Sequence, residues 1–193
     1  MTTPLQKAFL YKFLSRCLAW PNEAFIPALR EAMEKIDAHC DELPDLVVAF
    51  ERDDAETLQA EYTRLFLNGY PRTVCPPYES VYLEQRMHGE ATLAVAAKYA
   101  EWEISVEPGL IDHLATELEF LAFLASAESL DNAISAEARK TSDAFMQQNI
   151  RRWTPQFVAD LKAGATMDCY RMVGEVMEVV LAGVCGKDSA FSE

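Results

Sequence analysis

One stretch governs what this chain can fold into. From Leu110 to Ala127 it reads LIDHLATELEFLAFLASA. Wound at the helical period, it is apolar around most of its circumference, the pattern of a helix buried on nearly all sides. Such a helix needs a sheath, and the rest of the chain offers amphipathic helices for one. Leu5, Phe9, Phe13 and Cys17 form one stripe, with Leu10, Leu14 and Leu18 beside it. Thr3 can cap that helix, Pro4 suits its first turn, and Trp20-Pro21 ends it. Further helices are expected over 22–39, bent at Pro27, after Pro44, and over 55–67, ending at Asn68-Gly69. The stretch GYPRTVCPP follows; Gly69, Pro71, Pro76 and Pro77 make it an ordered loop and not a strand. A short helix after Pro77 comes next, then helices over 89–102, 133–153, 155–164 and 168–184. No strand and no repeat is visible. The expected fold is an all-α bundle of nine to eleven helices around 110–127. The polar, Ala/Ser-rich segment 130–143 reads as a hinge between a larger part, 1–129, and a C-terminal part, 144–193, of one structural domain.

Charge and cysteines narrow the function. The net charge of −14 repels a phosphate backbone, so no nucleic acid is expected as partner, while basic ligands are attracted. Solubility alone also accounts for such a charge. The five cysteines are odd in number and form no CxxC pair, which argues against a disulfide framework or zinc knuckle and for a reducing compartment. Lys7, Lys12 and Arg16 interrupt the apolar residues of the N-terminus, so it does not read as a signal peptide. No apolar run approaches the roughly 20 residues of a membrane helix. A cytoplasmic location follows as the expectation. Phosphate-binding glycine loops, HExxH, Glu-x-x-His and GxSxG are all missing. No metal, no cofactor and no enzymatic activity are expected, and Cys75 in the loop has no partner base in sequence.

Two polar clusters stand out. Residues 75–82 read CPPYESVY: Pro77 can open a helix with Glu79 in its first turn, and Tyr78 and Tyr82 fall at i and i+4. On the apolar helix, Asp112, Thr116 and Glu119 fall at i, i+4 and i+7, with His113 and Glu117 paired beside them. Each cluster has a structural reading, a helix start or satisfied buried groups, and a binding reading, a surface that grasps a peptide.

Four pieces in order resemble the TorD/DmsD/NarJ family of redox-enzyme maturation chaperones. They are EYTRLFLNGYP (Glu61 to Pro71), CPPYESVY, EPGLIDHLATELEFLAFL (Glu107 to Leu124) and FMQQNIRRWTPQF (Phe145 to Phe157). Two departures are visible. Gly109, Leu110 and Ile111 separate Glu107-Pro108 from Asp112-His113 more widely than in the family, and Asn149 stands where many relatives have histidine. The resemblance implies a cytoplasmic TorD-like helical bundle that is not an enzyme. It implies binding to the catalytic subunit of a molybdenum-cofactor reductase, and to its twin-arginine signal peptide, until cofactor is inserted. It also implies a monomer or a domain-swapped dimer, swapping through 130–143. Some relatives are reported to bind guanine nucleotide, although no phosphate loop is present here. The client-binding surface expected from both clusters joins Pro77, Tyr78, Glu79, Ser80 and Tyr82 to Asp112, His113 and Glu119. A general helical adaptor and a nucleotide-binding regulatory protein are the alternative functions.

Overall fold

A computed structural model describes residues 2–37, 42–130 and 132–183. Ten α-helices account for most of them: α1 Pro4–Cys17, α2 Phe25–Glu34, α3 Glu42–Glu51, α4 Ala55–Tyr62, α5 Glu79–Glu84, α6 Glu90–Glu101, α7 Leu114–Glu128, α8 Ser135–Phe145, α9 Arg151–Gly164 and α10 Asp168–Leu181. Two π-helical turns, Thr63–Leu67 and Met146–Ile150, and one 3-10 turn, Pro108–Leu110, complete the set. No strand occurs among the described residues; the one extended pairing is an isolated antiparallel bridge between Tyr78 and His113.

The apolar helix sits where its sequence requires. Leu114, Leu118, Leu121 and Leu124 of α7 have no exposed surface. α1 and α8 are its main neighbours. From α1 come Leu10, Phe13, Leu14 and Cys17; of the stripe expected from sequence Phe13 and Cys17 are in the core, while Phe9 is half-buried and Leu5, at the first turn, is exposed. α10 packs on α9 and α3 and closes the opposite side through Tyr170, Val173 and Met177. An edge-to-face aromatic chain links these layers, Phe25 to Phe50 to Tyr170 to Phe66. Such pairs add to what area burial alone contributes.

Local signals explain several boundaries. The Thr3 hydroxyl accepts from Gln6 N–H at 3.2 Å and Pro4 opens α1. Asp54 Oδ1 accepts from Thr57 N–H at 2.7 Å and caps α4. The Glu84 carboxylate, at the end of α5, takes the N–H groups of Glu90 and Ala91 and so caps α6 from outside. At Gly69 a Cβ would lie 2.7 Å from the carbonyl oxygens of Arg64 and Arg72, so the loop closes only around glycine there.

Four expectations need correction. α2 begins at Phe25, not 22, because Asn22 spends its side-chain oxygen on Ala24 N–H in a turn before the helix. Pro27 then lies in the first turn of α2, where its missing N–H costs nothing and no bend is required. α7 begins at Leu114, not 110; Asp112 and His113 precede it, so Asp112, Thr116 and Glu119 do not share a helical stripe. The expected break at 155 is absent, since Pro155 lies inside α9. The π-helical turn just before α9 has already shifted the donor–acceptor register, and one lost N–H is absorbed. Of the segment 130–143, residues 135–143 belong to α8. His39, Cys40 and Cys185 lie outside the described residues.

Candidate functional site

The proline-rich loop and the start of α7 are sewn together by backbone. Leu114 N–H donates to the Pro77 carbonyl at 2.9 Å, and Glu79 N–H donates to the Asp112 carbonyl at 3.0 Å. This bridge is possible because Pro76 and Pro77 hold the chain extended, as does the position before each of them. The His113 ring meets Tyr78 edge-on, with centroids 5.0 Å apart. His113 Nδ1 also accepts from Ala115 N–H at 3.1 Å and caps α7. Burial pushes the imidazole pKa down to about 4, with Asp112 opposing more weakly, so the ring is neutral at neutral pH.

Asp112 is 2% exposed. Its Oδ2 accepts from Ser80 N–H at 2.8 Å, supplying the first turn of α5 with a cap that Tyr78 does not provide. Glu79, 1% exposed, points into the bundle, where Asn149 Nδ2 donates to its Oε2 at 3.1 Å. Asn149 reaches it from the π-helical turn between α8 and α9. Burial raises the Glu79 carboxyl above its ordinary pKa, against the hydrogen bonding of Glu117 and Asn149. Glu117, fully buried, has Glu79 as its carboxyl neighbour and not His113. Burial foremost, and Glu79 next, push it well above the ordinary range.

Pro77, Tyr78, Glu79, Ser80, Asp112 and His113 therefore do come together, as expected. In this conformation Glu79, Ser80 and Asp112 are buried supports of the joint and do not form a surface. Glu119 is elsewhere: it faces α1, paired with Lys12 Nζ at 2.6 Å, and half-exposed. Its place on α7, two residues from Glu117, turns it to the other side of the bundle.

Tyr82 is the member that reaches outward. Its ring lies 5.3 Å from that of Trp153, and its hydroxyl donates to Asp160 Oδ2 at 3.2 Å. Beside it opens a cleft of about 880 Å³ between the 70–76 loop, α5 and α9. Tyr70, Arg72, Pro76, Val81, Tyr82 and Asp160 line it. Tyr70 is fully exposed. The loop is anchored below by Cys75 N–H, which donates to the Leu65 carbonyl at 2.9 Å. The Glu61 carboxylate takes Arg64 in a two-pronged pair at 2.8 and 2.9 Å and Thr166 N–H at 2.7 Å. Sequence reasoning missed Glu61, Glu117, Trp153 and Asp160 as members. Three of the four lie within the quoted motifs, but only the fold shows which way each one points.

Nothing in this arrangement is a nucleophile with a base. Cys75 is fully buried, and burial raises its thiol to about 12. Among the described residues, no three His, Cys, Asp or Glu side chains are grouped so as to hold a metal ion. No helix among them is long and apolar enough to cross a membrane.

The model of the nitrate reductase delta subunit family matches residues 22–159, which include the whole joint. The chain belongs to that family. Among curated proteins it is similar to chaperone protein TorD of Vibrio cholerae: 34% identical over 115 residues, 55% of this chain and 51% of the relative, in a Classical Ogawa strain. An El Tor Inaba strain gives 33% over 114 residues. The chain spans about half the length of these relatives. Among solved structures, a protein of Archaeoglobus fulgidus described as a redox enzyme maturation protein superimposes with a TM-score of 0.66 at 25% identity, covering 89% of this chain and 93% of that one. The TorD-like all-α fold expected from sequence is thus the fold observed.

Proposed function

We propose that this chain is a cytoplasmic chaperone dedicated to one molybdenum-cofactor oxidoreductase. It binds the catalytic subunit, together with its twin-arginine signal peptide, and holds it until cofactor is inserted and export or assembly proceeds. The observation that carries this reading is the cleft beside Tyr82. It combines aromatic and aliphatic walls with the Asp160 carboxylate, in a chain of net charge −14. A signal peptide is basic at one end and apolar beyond it, so both kinds of contact have a counterpart. Family membership and relatives named as chaperones support the same reading.

The roles divide by burial. Tyr82 and Asp160, with Tyr70 and Val81, make the contacts. Pro77, Tyr78, Glu79, Ser80, Asp112 and His113 position α5, which carries Tyr82. A rigid, pre-built wall loses little conformational freedom on binding. Titration of a labelled twin-arginine peptide and of its twin-lysine counterpart tests the reading. Binding should favour arginine, whose planar fork suits a carboxylate, and should weaken with salt. Tyr82→Ala and Asp160→Asn should each weaken binding with the melting temperature little changed for Asp160→Asn. Equal affinity for both peptides, or unaltered affinity in both variants, would refute it.

A further inference from the structure

The least expected feature of the joint is that two carboxyl groups face each other inside it. Glu79 arrives from α5 and Glu117 from α7, at 1% and 0% exposure. Among the described residues, no N–H or O–H makes a well-formed hydrogen bond to either oxygen of Glu117; the indole of Trp153 is the one donor near it and acts only weakly. Ser80 Oγ is buried in the same joint without a partner, and Trp153 Nε1 is buried there without a well-formed hydrogen bond. An ionised carboxylate with no donor and no cation is expensive to bury, and two side by side more so.

Other charged and titratable groups nearby do not relieve this. From the segment before α7, Asp112 adds a further carboxylate. From α6, Tyr99 gives its hydroxyl to the Ile111 carbonyl, and from the π-helical turn Asn149 serves Glu79 alone. From α9, Trp153 favours the charged form of Glu117 only weakly and the exposed Arg152 acts on Glu79 from a distance. His113, on the Asp112 side, is engaged with Tyr78 and Ala115 N–H.

We propose that Glu79 and Glu117 share a proton at neutral pH and act as a proton-dependent latch between α5 and α7. With one carboxyl protonated, its O–H donates to the other, and the pair becomes a hydrogen bond across the joint. Loss of that proton leaves two buried anions, and α5 loosens from the bundle. Because α5 carries Val81, Tyr82 and Gln85 to the cleft, proton loss loosens one of its walls. The latch concerns the joint itself and holds whatever occupies the cleft. The sign follows from the raised pKa values of both groups: the contribution is complete at low pH and is lost as pH rises through the folded-state value.

Two measurements test it. Infrared spectra of the wild-type chain at neutral pH should contain the C=O band of a buried protonated carboxyl. That band should vanish at high pH and in Glu117→Gln. Urea unfolding between about pH 6 and about pH 9 should show the wild-type folding constant falling by up to about tenfold per pH unit below the folded-state titration point and levelling off above it, relative to Glu117→Gln. Glu79→Gln should reduce the slope in the same way, which guards against one variant failing to fold. Absence of the protonated band in the wild-type chain, or the same slope in all three proteins, would overturn the proposal. Neither measurement involves a peptide, so its failure is separable from failure of the chaperone reading.

Discussion

Replacing Asp112 by alanine separates a supporting role from a contacting one. In the folded chain Asp112 Oδ2 accepts from Ser80 N–H at 2.8 Å, with both residues buried. Removal leaves that N–H without an acceptor and out of reach of water. A buried donor left unsatisfied costs about 1–3 kcal/mol, and a hydrogen bond to a charged group lies at the upper end. Among the described residues the lost bond is also the one side-chain cap of α5, a helix of six residues, and caps contribute about 1 kcal/mol. The two descriptions overlap, so the expected loss is about 2–3 kcal/mol. For a chain near 200 residues each kcal/mol lowers Tm by about 2–4 °C, so Tm should fall by about 5–10 °C. Asp112→Asn keeps an oxygen acceptor and should lose about half as much. The assay is thermal and urea unfolding, paired with peptide affinity at a temperature where both proteins are folded. A Tm within about 1 °C of wild type, with affinity sharply reduced, would refute the reasoning and return Asp112 to the binding surface.

Glu61→Ala should cost about 1–3 kcal/mol in urea unfolding, because it leaves Thr166 N–H between α9 and α10 without its acceptor and Arg64 with only the Gly164 carbonyl. Tyr82→Phe keeps the ring against Trp153 and loses only the bond to Asp160. Peptide affinity should drop by about tenfold or less, as a titration at low salt would read. Gly69→Ala places a Cβ against two carbonyl oxygens, so the loop must shift; stability should fall by about 1–3 kcal/mol, measured by urea midpoint.

The bundle was legible because helix patterns survive without tertiary knowledge. Most of the apolar face of α1, the Thr3 cap and the all-round apolarity of α7 reappear in the folded chain, Leu5 alone of that face being exposed. Boundaries failed where tertiary contacts override local preference. Asp112 and His113 look helical by spacing, yet their backbone pairs with Tyr78 across 34 residues of chain. Pro155 looks like a stop, yet the preceding π-helical turn carries it. Asp112 and His113 do lie beside the 77–82 cluster, whereas Glu119 of the same expected surface does not. What spacing could not give is the direction of each side chain. Glu117 and Glu119 are two residues apart, so one is sealed against Glu79 and the other reaches Lys12 on the far side.

That joint should contribute to both pH limits of the fold, with opposite signs. His113 is buried neutral, its pKa held near about 4 by burial. Because the folded value lies below the ordinary 6.5, its contribution is complete above about 6.5 and disappears as pH falls toward 4. Each pKa unit is worth about 1.4 kcal/mol, so about 3 kcal/mol is at stake on the acid side. Protonation would place a cation beside Tyr78 and end the cap on Ala115 N–H, since Nδ1 would no longer accept. On the alkaline side the raised carboxyls of Glu79 and Glu117 work the other way and lose their contribution as pH rises. Urea midpoints across pH should therefore trace a dome. His113→Gln should make only the acid limb shallower, leaving the part owed to Glu61 and Asp54, and Glu117→Gln only the alkaline limb. A wild-type profile that rises or falls monotonically would show that these residues do not set it. The same bridge thus ties α7 to α5 by a group that must stay neutral below and by a pair that must stay protonated above. Between these limits Tyr82 is held against Trp153 at the edge of the cleft.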